Sequence, residues 1–322
     1  MFFKNISFYS LLSAFLLLCS CSFDNKTNNA SSELFVMDTI CSVSADKDDI
    51  NNICSVLSRV DTALDCFSKD GEIASLNEKR SVECSDTLYD FIKKSTSLSA
   101  EYGNEIMLSG GSVTMLWKKA QNDKKLPDIS AIRSSLGNIG DDLICFDNGN
   151  TVTLKDNCIL DSGAFAKGYA LDLCKDMLDS NKNSDYAVIS MTSSVLLYGS
   201  KPDNSKFKVQ IRNPDGNGTL GTVETEACFL STSGGYERFF TVDGVDYCHI
   251  IDLSTGYPTK SSLTSVTVFC DSGIMSDYLS TKILIEGTGN INKHLNSDLY
   301  KIAAFDDKGN SYISDGLNFY EN

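Results

Sequence analysis

The stretch that decides the reading runs from Ser231 to Pro258, STSGGYERFFTVDGVDYCHIIDLSTGYP. It opens on a run of small residues, Thr232-Ser233-Gly234-Gly235, which reads as a glycine turn. Two apolar runs follow, Glu237 to Val242 and Val245 to Ile251, separated by Asp243-Gly244. Asp-Gly between such runs predicts a two-residue hairpin, because both central positions need positive φ. The second run carries His249, then Asp252, then a turn over Ser254–Pro258. Arg238, His249 and Asp252 are thus brought to neighbouring strand ends beside a glycine turn, an arrangement suited to an anion. Taken singly these features are weak, since most glycine turns bind nothing and a His in a strand is commonly structural. Their clustering carries more weight in a chain with only two His, His249 and His294.

Working outward, the order S-T-S-G-x-Y-E-R-F-F and then H-I-I-D-x-x-T-G-Y-P closely resembles the FAD:protein FMN transferases, the ApbE-type flavin transferases. The likeness extends over nearly the whole chain after residue 34. Met37-Asp38-Thr39 is similar to the family's opening flavin-contact strand, and Phe67 to Asn77 (FSKDGEIASLN) to its aromatic turn. Asp161-x-x-Ala164-x-Ala166-Lys167-Gly168-Tyr169-Ala170 matches the family's most distinctive motif, and Phe207 to Pro214 resembles the strand before S-T-S-G. Two places depart from the pattern. Met107 stands where the family often has Asp, and Met191-Thr192-Ser193-Ser194 replaces a glycine pair.

Asp277 and Thr281 are spaced i, i+4, so both project from one helix face. A carboxylate beside a hydroxyl is a pair of hard oxygen ligands suited to Mg²⁺. On spacing alone a solvated helix face is the better reading. The resemblance reverses that, since the family carries Asp-x-x-x-Thr on its last major helix as Mg²⁺ ligands. It further implies the Ala164 carbonyl as a metal ligand. Flavin contacts are implied at Met37, Phe67, Glu105, Ile106, Met107, Asp161, Lys167, Thr232, Ser233, Gly234 and Ile251. His249, whose unperturbed pKa would lie near 6.5, is the natural general base. The implied reaction is transfer of FMN from FAD to a Thr hydroxyl of a second protein, with AMP released. The implied acceptors are flavin-bearing subunits of the Na⁺-translocating NADH:quinone reductase and Rnf type. An FAD pyrophosphatase and a non-catalytic FAD-binding lipoprotein are the alternatives.

The N-terminus adds a location. A short basic start at Met1–Lys4, an apolar run from Ile6 to Leu18 and Leu18-Cys19-Ser20-Cys21 describe an export signal with a lipobox. That run falls short of the roughly 20 residues a membrane span needs. The expectation is a signal over 1–20, lipid on Cys21, a polar tether over 21–33 and a catalytic domain over 34–322 on the outer face of a bacterial membrane. Cys19 is the competing anchor. With 28 basic and 43 acidic residues the formal charge is −15, and there is no Lys/Arg run, so nucleic-acid binding is excluded as a function class. The 12 Cys are scattered without a C-x-x-C pair outside the signal, which reads as free buried thiols rather than a zinc site or a disulfide framework.

Secondary structure follows from pattern. Leu34–Ser44 is strand-like, and Ile50, Ile53, Cys54, Leu57 and Val60 set a helix over 47–64. A second helix covers 87–102, and Glu105 to Trp117 is a glycine-broken segment entering a short helix. Leu143–Leu154 reads as a hairpin on Asn148-Gly149, and Ile159–Asp161 as a strand end before a helix over 169–178. Strands are expected at 186–190, 195–198, 207–211 and 265–269, a helix at 274–285 capped by Asp271 or Ser272, and a last hairpin over 300–305 and 311–313. Helices and strands mix without a βαβ rhythm, so the fold class is α+β, one compact unit.

Overall fold

The computed structural model describes residues 28–236 and 239–322. The signal segment, Cys19, Cys21, Glu237 and Arg238 lie outside the described residues, so the lipidation expectation and the role given to Arg238 are not addressed by it.

In chain order the elements are β1 (Asn29–Val36), β2 (Thr39–Asp46), α1 (Lys47–Leu64), α2 (Glu72–Lys79), β3 (Ser81–Glu83), α3 (Asp86–Tyr102), α4 (Gly111–Asp123), α5 (Ile129–Leu136), β4 (Ile144–Phe146), β5 (Thr151–Leu154) and α6 (Ala166–Asn181). Then follow β6 (Tyr186–Met191), β7 (Ser194–Gly199), β8 (Phe207–Arg212), β9 (Thr219–Thr225), β10 (Cys228–Gly234), β11 (Phe239–Val242), β12 (Val245–Cys248), β13 (Ile251–Asp252) and β14 (Tyr257–Pro258). The chain closes with β15 (Leu263–Cys270), α7 (Gly273–Glu286), α8 (Ile291–Leu295), β16 (Tyr300–Asp306), β17 (Ser311–Ile313) and β18 (Asn318–Glu321).

The frame is an antiparallel sheet in the order β1-β2-β6-β7-β10-β15-β16-β17. Alternation sorts its two faces. Cys41, Val43, Ile189, Leu196, Phe229, Val266 and Val268 join the main core, shared with α1, α6 and α7. Leu197, Leu230 and Phe269 point the other way and meet Phe207, Ile211 and Val223 of a three-stranded sheet, β18-β9-β8. This is the expected α+β class in one continuous frame.

Three local differences from the sequence reading have physical causes. Residues 34–44 are a hairpin rather than one strand, and β1 takes in residues 29–33 of the expected tether, paired from Asn29↔Asp46 to Val36↔Thr39. Its turn, Met37-Asp38, holds φ of 50° and 56° without any glycine. The Met37 amide donates to Asp61 Oδ1 on α1 across 2.8 Å, so a tertiary bond holds a turn that local propensity disfavours. Secondly, Thr232–Gly234 of the expected 232–235 turn form the end of β10, which pairs with β15 from Phe229↔Cys270 to Gly234↔Ser265. Thirdly, Ile159 makes only an isolated bridge to Gly110 rather than ending a strand. The Asp243-Gly244 hairpin forms as expected, with φ of 52° and 78°, although β12 ends at Cys248 and leaves His249 beyond it. All ten described cysteines are free thiols.

Candidate active site

A cavity of about 760 Å³ opens where the ends of β2, β6 and β10 meet the N-terminus of α6 and the middle of α7. Fifteen residues were expected, eleven at the flavin, three at the metal and His249 as the base. All of them except Glu105 line this one cavity.

The carboxylate side is built by two helices that approach unusually closely. A Cβ on Gly168 would sit 2.1 Å from the Gly273 carbonyl oxygen, and one on Gly273 would sit 2.2 Å from that of Gly168. Both positions therefore require glycine, and their contact brings α6 against α7. The Gly168 amide then donates to Asp277 Oδ2 at 3.0 Å, and Ser194 Oγ donates to Oδ1 at 3.2 Å. Asp277 is only 5% exposed. One turn on, Thr281 Oγ1 lies 2.9 Å from Ser233 Oγ, which also lies 2.9 Å from Ser280 Oγ. Asp172 of α6 seals the start of α7, accepting from the amides of Gly273 at 2.6 Å and Ile274 at 2.9 Å. Burial pushes its carboxyl up to about 6 against the pull of those two amides. Sequence reasoning passed over Asp172 because its partners are a hundred residues away.

Asp277, Thr281 and the Ala164 backbone border the same space. They offer one carboxylate, one hydroxyl and one carbonyl, all hard oxygens. Each Asp277 oxygen takes one donor here and keeps further lone-pair capacity. Among the described residues no group of three or more His, Cys, Asp or Glu side chains is placed to hold a metal ion. One carboxylate with two neutral oxygens suits Mg²⁺, which uses one or two carboxylates and completes its shell with water and substrate phosphates. The residues present therefore fit the ion.

The 161–167 loop is fixed from behind. Asn77 grips the Leu160 backbone twice, donating to its carbonyl at 2.9 Å and accepting from its amide at 2.8 Å. Arg80 donates to the carbonyls of Cys158, Lys155 and Asp156 at 2.6, 3.1 and 3.0 Å. Asp161 then accepts from Thr114 Oγ1 at 2.5 Å and from the Gly163 amide at 2.8 Å, which orients it at the cavity wall. Lys167, on the first turn of α6, reaches the same wall and has no carboxylate partner among the described residues. Lys167 and the α6 N-terminus form a positive end suited to phosphate.

Thr232, Ser233 and Gly234 reach the cavity, but as strand residues. The Thr232 amide is already bonded to the Ser193 carbonyl at 2.8 Å, so the amide cradle expected of a 232–235 turn is not formed as such. Their hydroxyls are what the site receives. His249 is exposed at the cavity wall, followed by Ile251 at the start of β13.

The apolar side holds Met37, Phe67, Ile106 and Met107. Phe67 is 53% exposed, and Lys118 Nζ of α4 stands 3.0 Å from its ring centroid. Glu105 is the exception. Its carboxylate turns away from the cavity to Lys282 Nζ at 2.6 Å. Met107 occupies the wall where the family pattern often has Asp. The replaced glycine pair is the β6–β7 turn, and Thr192 there takes φ of 62°, a conformation glycine would adopt at no cost. Thr39 Oγ1, 2.8 Å from Thr192 Oγ1, braces it.

Lys118, Arg212 and an aromatic group were not anticipated. Arg212 ends β8 at the cavity. Trp117 packs near Phe240, Tyr247 and Tyr257 with centroids 5.7–6.4 Å away, and its Nε1 donates to the Gly256 carbonyl at 2.7 Å. Only the lone Trp was a visible signal, and it did not reveal its partners.

Comparison with known proteins agrees with this geometry. The model of the ApbE family matches residues 37–305. The FAD:protein FMN transferase of Treponema pallidum is 26% identical over 258 residues, covering 74% of this chain and 71% of the relative. That of Vibrio cholerae is 26% identical over 242 residues, covering 72% and 71%. In fold, the chain is similar to the crystal structure of the ApbE protein from Thermotoga maritima, with a TM-score of 0.81 at 24% identity over 89% of this chain and 97% of that one. The flavin transferase ApbE from Vibrio cholerae gives a TM-score of 0.75 at 21% identity over the same shares. The matched span holds every cavity residue expected from sequence, and the chain belongs to the ApbE family.

Proposed function

We propose that the chain is an Mg²⁺-dependent FAD:protein FMN transferase that links FMN to a Thr hydroxyl of a target flavoprotein and releases AMP. The observation that carries this reading is the convergence of Asp161, Lys167, Asp277, Thr281 and His249 on one cavity. Its size, about 760 Å³, lies within the range of small-molecule sites.

Phosphoryl-type transfer depends mainly on positioning and charge neutralisation. Met37, Phe67, Ile106 and Met107 supply an apolar wall for the flavin ring. Lys167 and the α6 N-terminus face the diphosphate. The acceptor Thr oxygen attacks the phosphorus on the FMN side, the diphosphate P–O bond breaks, and AMP leaves with the bridging oxygen. His249 takes the Thr proton. Asp277, Thr281 and the Ala164 carbonyl would hold Mg²⁺, which neutralises phosphate charge when bound.

Mass spectrometry of an acceptor mixed with the chain, FAD and Mg²⁺ tests the reading. The acceptor would be a flavin-bearing subunit of the Na⁺-translocating NADH:quinone reductase or Rnf type. A mass gain equal to FMN, with one AMP per acceptor and no gain when the acceptor Thr is changed to Val, supports transfer. Free FMN and AMP appearing equally fast with or without acceptor would make the chain a pyrophosphatase. No AMP under any condition would make it a carrier of FAD.

We further propose export and anchoring through lipid on Cys21. Among the described residues no helix is long and apolar enough to cross a membrane. Cys21→Ser should leave the membrane fraction; if only Cys19→Ser does, Cys19 is the anchor.

A further inference from the structure

Glu105 and Lys282 lie behind the cavity wall and have no place in the mechanism above. Lys282 is 2% exposed, yet its ammonium meets two carboxylates, Glu105 and Glu286, each at 2.6 Å. A buried ammonium is tolerated only when paired. Glu286 in turn holds His294 Nε2 at 2.6 Å, and His294 Nδ1 lies 2.7 Å from Tyr300 Oη. The pair to Glu105 differs from the rest of this network in gripping the segment that makes the flavin-side wall.

That segment is held by α7 at two points. Tyr278 Oη donates to the Gly103 carbonyl at 2.7 Å, and Lys282 Nζ donates to Glu105 Oε2 at 2.6 Å. Gly103 must be glycine here, since its φ is 128° and a Cβ would lie 2.6 Å from Glu105 Oε2 and 3.0 Å from Lys282 Nζ. The two residues after Glu105, Ile106 and Met107, line the cavity. Positions 278 and 282 each follow 277 and 281 by one residue, so one helix presents Asp277 and Thr281 to the cavity and grips the wall with its adjoining face.

We infer that Glu105 and Lys282 are positioning residues: their ion pair sets the Ile106–Met107 wall in register with Asp277 and Thr281, and so fixes where the flavin sits relative to the diphosphate. This rests on the functional reading above, and it assigns Glu105 an indirect role in place of flavin contact.

The test is FAD affinity, measured by quenching of flavin fluorescence with Mg²⁺ present, for the full chain and two variants. Glu105→Gln leaves Lys282 paired with Glu286. Glu286→Gln leaves Lys282 paired with Glu105. Changes to residues that support metal ligands cost about 10- to 100-fold, and a weakening of that order in FAD affinity is expected of Glu105→Gln. Glu286→Gln should lower the melting temperature while keeping FAD affinity within about twofold of the unchanged chain. Equal weakening in both variants, or unchanged affinity in Glu105→Gln, overturns the inference, as does a Glu105→Gln chain that no longer folds. An unchanged chain that binds no FAD overturns the functional reading as well, which separates the two failures.

Discussion

The amide of Gly168 donates to Oδ2 of Asp277 at 3.0 Å, joining the first turn of α6 to the middle of α7 across 109 residues of sequence. No side chain fits at 168, because a Cβ there would lie 2.1 Å from the Gly273 carbonyl oxygen and 2.8 Å from Asp277 Cβ. Gly168→Ala should therefore force the helices apart, at a stability cost of about 1–3 kcal/mol typical of overpacking. It should also raise the Mg²⁺ concentration needed for AMP release. An Ala variant with unchanged melting temperature and metal dependence would show that the helices have room to yield.

Asp277 and His249 separate two roles that share one cavity. Asp277→Asn keeps the shape but removes the charge, and its amide group can no longer accept from both Gly168 and Ser194. AMP release should fall far more than FAD affinity, and added Mg²⁺ should not restore it. His249→Ala should spare FAD binding and the Mg²⁺ requirement while slowing transfer by roughly 10²–10⁴-fold, the usual worth of a general base. Initial rates over an Mg²⁺ titration check both. Unchanged Mg²⁺ dependence in Asp277→Asn would remove Asp277 from the metal site.

Thr192 carries backbone strain at φ 62°, where a β-branched residue is disfavoured. Thr192→Gly should relieve it and raise stability by on the order of 1 kcal/mol, less whatever the Thr39 hydroxyl contact contributes. Thermal melting decides this. A lower melting temperature in the Gly variant would mean that the contact across 2.8 Å outweighs the strain.

Glu286 gives the chain an acid limit. Burial raises its carboxyl, but the His294 hydrogen bond and the Lys282 ion pair outweigh that and hold it at about 2, below its ordinary 4.5. A depressed carboxyl contributes stability that is present above the unfolded value and lost as pH falls through the folded one. The unchanged chain should thus lose this contribution between about pH 4.5 and pH 2. Glu286→Gln should be less stable at neutral pH and lose correspondingly less over that window. Parallel melting curves of the two from pH 5 to pH 2.5 would refute the assignment.

The sequence by itself determined what short-range chemistry can determine. Helix α1 starts and ends where its apolar period does, capped by Asp46, whose side chain accepts from the Asp48 amide. The Asp243-Gly244 turn forms because both residues tolerate positive φ. The ordered motifs were enough to name the family, and fourteen of the fifteen expected site residues line the cavity. What escaped it depends on distant partners. The Met37-Asp38 turn exists because Asp61 holds it, and a scan for glycine misses it. Thr232–Gly234 have the composition of a turn, yet pairing with β15 makes them a strand. Glu105 belongs by sequence to the flavin wall, but a buried ammonium 177 positions away draws its carboxylate behind that wall. Local propensity acts over a few residues. Which way a side chain points is settled by burial and pairing between segments, and those exist only once the sheet and helices have packed.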